Sequence, residues 1–205
     1  MSKNWSLAIV VAFVLGYSLK VYMDNQAEVK AENQRADAEL IAKDPIFSGK
    51  ENQDVHIFDS SDSRIRVIYF GYTRCADVCP TSLAMLSGAL TQFNEKELSQ
   101  LRPLFISIDP ERDKPAAAHE YAQYFHETIE GLSAPLDITK AVADRYGVIF
   151  RKTTLEDSAI GYVVDHSSYF YFLQPDGSLI TKVPHTLDPA PIVEAIKTVL
   201  NTPKE

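Results

Sequence analysis

The chain has 205 residues, 45% of them apolar and 23% charged, with a formal net charge of -8. That length holds one domain with a sizeable core and an appendage. An acidic surface repels phosphate backbones and argues against nucleic acid as a partner. The two cysteines, Cys75 and Cys79, close too small a loop to staple a fold, so they are read as chemistry rather than as framework.

The first 23 residues carry an apolar run over residues 7–19, with Trp5, Tyr17, Lys20 and Tyr22 near its ends. A membrane-spanning helix needs about 20 apolar residues, and residues 4–23 provide that length with one charge, Lys20, at the end where a long stem can reach the interface. A cleaved signal peptide is the competing reading, but Ser18-Leu19-Lys20 is a poor cleavage site. Residues 24–44 are rich in Ala, Glu, Gln and Lys, have no glycine and carry few apolar positions. They read as a helical spacer ended by Pro45. The short, positively charged N-terminus places that end inside. The expectation is a single-pass anchor over residues 1–23 in the inner (cytoplasmic) membrane, with a domain over residues 45–205 facing the periplasm.

Within that domain residues 53–58 read as a strand. Residues 66–72 are an almost continuous β-branched and aromatic run, as in a strand covered on both faces. Residues 81–93 follow with Leu83, Leu86, Leu90 and Phe93 at helical spacing, and Pro80 is taken as the first helical residue. A second buried strand is expected over 103–109, helices over 114–126 and 139–146, the latter closed by Gly147, a hairpin of 168–173 and 178–183 about Gln174-Pro-Asp-Gly177, and a helix over 189–200. Strand–helix–strand–helix, then hairpin, then helix, gives parallel strands by right-handed crossover with antiparallel strands added. The layout is α/β, the thioredoxin-like plan with an extra N-terminal strand.

Both cysteines fall between a central strand and the helix after it, where sites of open α/β sheets gather. Free amides at a helix start stabilise a thiolate there; Cys79 is placed at that start, and Arg74 adds positive charge. Three residues separate the cysteines, one more than in the usual thiol exchanger. A disulfide, a pair of inert core thiols and a metal held by two thiolates all remain open. Of the five histidines, His56, His119, His126 and His185 look structural or solvated, and His166 precedes the hairpin strand. Two thiolates and one imidazole suit Cu(I); zinc would want a fourth ligand, with Asp77 and Asp165 as candidates. Iron–sulfur clusters want four cysteines.

Four ordered stretches, residues 70–81 (Phe-Gly-Tyr-Thr-Arg-Cys-Ala-Asp-Val-Cys-Pro-Thr), 105–113, 162–166 and 174–177, together resemble the Sco/SenC family of copper-binding, thioredoxin-like cytochrome c oxidase assembly proteins. The resemblance implies that Cys75, Cys79 and His166 bind one copper ion. It also implies a role in delivering copper to the binuclear site of the oxidase, or in keeping that site's thiols reduced, with the copper-site subunit or another copper chaperone as partner. Asp109 resembles a family position near the site. Two departures stand out: Ala76 where relatives commonly carry proline, and a short segment over residues 59–64. A thiol–disulfide oxidoreductase and a redox or copper sensor are the alternatives, since both use the same cysteine pair.

Overall fold

Two buried strands set the frame. β3 (Ile65–Gly71) is buried at every position and β4 (Leu101–Ser107) at all but one, which explains their largely apolar composition. In this computed structural model the described residues are 43–201 apart from 157 and 159, together with 9, 13, 15–26, 28–30 and 32. The chain divides into two compact units, Met1–Leu40 and Ile41–Glu205.

In the first unit residues 15–26 are helical and expose large apolar side chains, Leu15, Tyr17 and Leu19 among them. Among the described residues no helix is long and apolar enough to cross a membrane. Part of the apolar run over residues 7–19, and much of the spacer over 24–44, lie outside the described residues.

The second unit opens with β1 (Ile46–Ser48) and β2 (Asp54–His56), an antiparallel pair. The expected extra N-terminal strand over 53–58 is therefore shorter and pairs with β1 rather than joining the main sheet. After β3 come α1 (Val78–Leu90), the single turn α2 (Glu95–Leu98) with its Asn94–Glu97 capping box, and β4. Then follow α3 (Pro115–Phe125), β5 (Glu130–Leu132), α4 (Leu136–Arg145), the hairpin β6 (Phe150–Thr154) and β7 (Tyr162–His166), β8 (Tyr169–Leu173), β9 (Leu179–Pro184) and α5 (Ala190–Asn201). The five-stranded sheet runs β5-β4-β3-β8-β9. β3 lies parallel to β4 and antiparallel to β8, as the crossover and hairpin patterns require. Gly147 takes φ +68° just past α4, the left-handed stop expected of it.

One charged residue stands inside this apolar frame. Arg66, the second residue of β3, is wholly buried. Its guanidinium donates to the carbonyls of Ile57 and Asp59 at 2.9 Å, and to those of Asp62 and Arg64. The short segment over residues 59–64 is thus wrapped on a cation, and its carbonyls offset the desolvation of the buried charge.

Candidate metal and thiol centre

The site forms where β3 ends and α1 begins. α1 starts at Val78, three residues earlier than the periodicity suggested, with exposed Asp77 as its N-cap and no side-chain cap bond. Pro80 is therefore the third helical residue, a position where its missing N–H is still one of the unpaired helix donors. The shift draws Cys79 into the first turn, where it is completely buried, and leaves Cys75 half-buried in the loop. Both are free thiols. The close approach depends on Gly71: a Cβ there would stand 2.9 Å from the Tyr69 ring and 3.1 Å from Cys79 Sγ.

The helix start acts on Cys75, not on Cys79 as expected. The Cys79 N–H donates to Cys75 Sγ at 3.4 Å. Hydrogen bonding from the Cys79 side chain, and further bonds from His166 and the amides of Cys79 and Asp77, pull the Cys75 thiol well below its ordinary value despite its partial burial. The Cys79 thiol moves the other way, because its proton is held by Cys75 and because it is buried. The pair is thus divided, with Cys75 the more readily ionised sulfur and Cys79 the one that keeps its proton longer. Arg74 is exposed.

His166, the last residue of β7, reaches this pair. Its Nε2 lies 3.3 Å from Cys79 Sγ. Its Nδ1 lies 3.1 Å from the Ser167 carbonyl, which can only accept, so Nδ1 donates there and Nε2 is the nitrogen turned to the sulfurs. Tyr69 and Tyr72 meet the imidazole edge-on, with centroids at 6.3 and 6.2 Å. A backbone carbonyl on the far nitrogen is how metal-ligating histidines are usually oriented. Among the described residues no group of three or more His, Cys, Asp or Glu is already drawn together closely enough to hold a metal ion. The Cys79 thiol must lose the proton it shares with Cys75 to become a ligand.

The other candidates go elsewhere. Asp165 alternates to the opposite face from His166 and accepts from Thr153 Oγ1 at 2.6 Å. His185 pairs with Ser82 at 2.8 Å, and His56 with Asp44 at 3.0 Å. His119, expected in solvent, is half-buried with Nδ1 sealed from it. Asp109 is buried behind the site, accepting from Tyr162 Oη at 2.6 Å and Arg112 Nε at 2.5 Å. Arg112 and Tyr162 were not singled out by their own chemistry; only their place in the motif stretches marked them.

A family model described as SCO1/SenC matches residues 48–201. The chain belongs to the SCO1/SenC family. It is 31% identical over 186 residues to the Saccharomyces cerevisiae "Protein SCO2, mitochondrial", covering 88% of this chain and 60% of that protein. It is 33% identical to an SCO2-like protein of Rickettsia felis, covering 71% of this chain and 72% of the relative. The chain thus spans about 60% of the yeast relative's length. Among solved structures it is similar to Arabidopsis thaliana ScoI with copper bound, with a TM-score of 0.67, 30% identity, and 77% and 96% of the two chains covered. It is also similar to Bradyrhizobium japonicum ScoI with copper bound, with a TM-score of 0.63, 31% identity, and 75% and 95% covered. The fold of this SCO1/SenC member is thioredoxin-like α/β, with the β6–β7 hairpin added beside the cysteine turn.

Proposed function

We propose that this SCO1/SenC protein binds one copper ion through Cys75, Cys79 and His166, and carries it to, or keeps reduced, the binuclear copper site of cytochrome c oxidase. The reading rests above all on the approach of His166 Nε2 to within 3.3 Å of Cys79 Sγ, beside a thiolate at Cys75. Two sulfurs and a neutral imidazole are soft donors at low coordination number, the set that favours Cu(I). Copper here is cargo. Cys75 supplies the readily ionised sulfur, Cys79 gives up its proton as copper enters, and His166 offers Nε2 from a ring oriented through Nδ1 by the Ser167 carbonyl. Solved relatives carry copper, which supports the same cargo here. Anaerobic titration of the reduced chain with Cu(I) tests the reading. One tight equivalent is expected, lost in Cys75→Ser and weakened in His166→Ala; equal affinity in His166→Ala would defeat the three-donor site.

A thiol–disulfide role at the same pair is favoured by one observation: the accessible sulfur is the thiolate and the buried one keeps its proton. That division fits a nucleophile and a resolving thiol. A pair that fails to exchange with a small disulfide rules this role out.

The anchor belongs to the same proposal: residues 1–23 hold the chain to the inner membrane, residues 24–44 act as spacer, and the domain faces the periplasm. The exposed apolar side chains of the helical stretch over residues 15–23 support it. Carbonate extraction of membranes should leave the chain in the pellet; release into the supernatant refutes the anchor.

A further inference from the structure

His166 stands on a hairpin that, among the described residues, shares no ladder with the five-stranded sheet. Something other than sheet pairing must hold it in place. On one side Ser167 and Ile149 tie the hairpin base, with Ser167 N donating to the Ile149 carbonyl at 2.9 Å. On the other side lies Arg112. Its Nη1 donates to the carbonyls of Ile160 and Tyr162 at 3.1 and 3.0 Å. Its guanidinium covers the Tyr162 ring at 3.6 Å and lies 6.0 Å from the Tyr72 ring, whose edge meets His166. Asp109 joins the two partners, accepting from Arg112 Nε and from Tyr162 Oη.

The same turn holds the sulfur loop. Asp113 accepts from the Thr73 amide at 2.8 Å, the Thr73 hydroxyl at 2.6 Å and the Ser107 hydroxyl at 2.7 Å. The turn is closed on itself by Arg112 N and Asp113 N donating to the Asp109 carbonyl at 3.1 and 2.9 Å. Asp109 and Asp113 are wholly buried. Three residues of one turn therefore grip both halves of the site: Asp113 the loop that carries Cys75, Asp109 and Arg112 the hairpin that carries His166.

The geometry points to Asp109 and Arg112 as positioning residues that set the imidazole against the sulfurs. Arginine is needed for this: a planar fork reaches a carboxylate and two carbonyls together, whereas a lysine ammonium is a point charge without that reach. The inference rests on the copper-site reading for its metal readout and on the fold alone for its metal-free one.

The test uses Arg112→Gln, Arg112→Lys and Tyr162→Phe in the full chain. In the metal-free protein, Arg112→Gln should speed amide hydrogen exchange in β6 and β7 by about tenfold while leaving α1 unchanged. With Cu(I) alone as probe, Arg112→Gln should weaken binding by about tenfold, yet by less than about twofold in a His166→Ala background, because the clasp acts only through the imidazole. Arg112→Lys should not restore it, and Tyr162→Phe should fall between. Native exchange in the hairpin, or an equal loss in both backgrounds, overturns the inference. Should the parent chain bind no Cu(I), the copper reading fails and the exchange measurement still decides the clasp. Should the Arg112 variants not fold, Tyr162→Phe, which removes one hydroxyl, carries both measurements.

Discussion

Cys79 Sγ and His166 Nε2 stand 3.3 Å apart although 87 positions separate them in the chain. One is drawn into the first turn of α1, and the other is presented by a hairpin outside the main sheet. Nδ1 of His166 is committed to the Ser167 carbonyl, which turns Nε2 to the sulfur. The consequences for chemistry follow from which sulfur holds the proton.

Cys75 should be the sulfur that reacts. Its value is lowered, so the thiolate persists across the neutral range and its alkylation rate should be nearly flat from about pH 6.5 to 8.5, where an ordinary thiol of about 8.5 rises steeply. Mass mapping after brief iodoacetamide treatment should find Cys75 modified and Cys79 intact. Prior modification at Cys79 contradicts the division.

Copper binding should release one proton from the pair, not two. Cys79 holds its proton in the free protein because its value is raised, while Cys75 has already lost its own. Apparent Cu(I) affinity should therefore rise about tenfold per pH unit between about pH 7.5 and 8.5. A hundredfold rise per unit would mean two protonated thiols, and a flat profile would mean none.

Gly71→Ala should damage both stability and site. The new methyl would meet the Tyr69 ring, the Phe105 ring at 3.0 Å and Cys79 Sγ, all in the packed interior. Overpacking of this kind costs about 1–3 kcal/mol, readable as a lower denaturation midpoint. An unchanged midpoint would show that β3 yields there without strain.

Much of this arrangement can be read from residues alone, and the exceptions have physical reasons. The runs in β3 and β4 announce strands covered on both faces, and Gln174-Pro-Asp-Gly177 announces its hairpin, with Gly177 at φ +82°. The hairpin that carries His166 is harder to see. β6 reads Phe-Arg-Lys-Thr-Thr, buries none of its residues fully, and so shows no apolar alternation. β1, β2 and β5 are three residues each, below the length at which a period shows. The lowered thiol is Cys75 rather than Cys79 because α1 begins before Pro80, and a proline at the first or the third helical position looks the same in a sequence. The clasp of Arg112 on Ile160 and Tyr162 uses backbone carbonyls, which no side-chain pattern reports.

Asp62 should matter to stability in acid. It accepts from Arg64 Nε and Nη2 at 2.8 Å and lies 3.7 Å from Arg66 and Arg102, and bonding to Arg64 lowers its carboxyl to about 2. A lowered folded value means the contribution is complete above the unfolded value of about 3.9 and is lost as pH falls through about 2. After allowance for solvent screening, Asp62→Asn should cost about 1 kcal/mol at pH 7. The gap between parent and variant in urea denaturation should narrow from about pH 4 downward; a gap that widens in acid contradicts the assignment.

The central claim, a copper site of two sulfurs and one imidazole, is tested most directly by X-ray absorption at the copper edge of the reduced chain loaded with one equivalent of Cu(I). The account predicts two sulfur neighbours and one imidazole nitrogen in the parent chain, with the nitrogen lost in His166→Ala and both sulfurs retained. Two sulfurs without nitrogen in the parent, or a nitrogen that persists in His166→Ala, would contradict it.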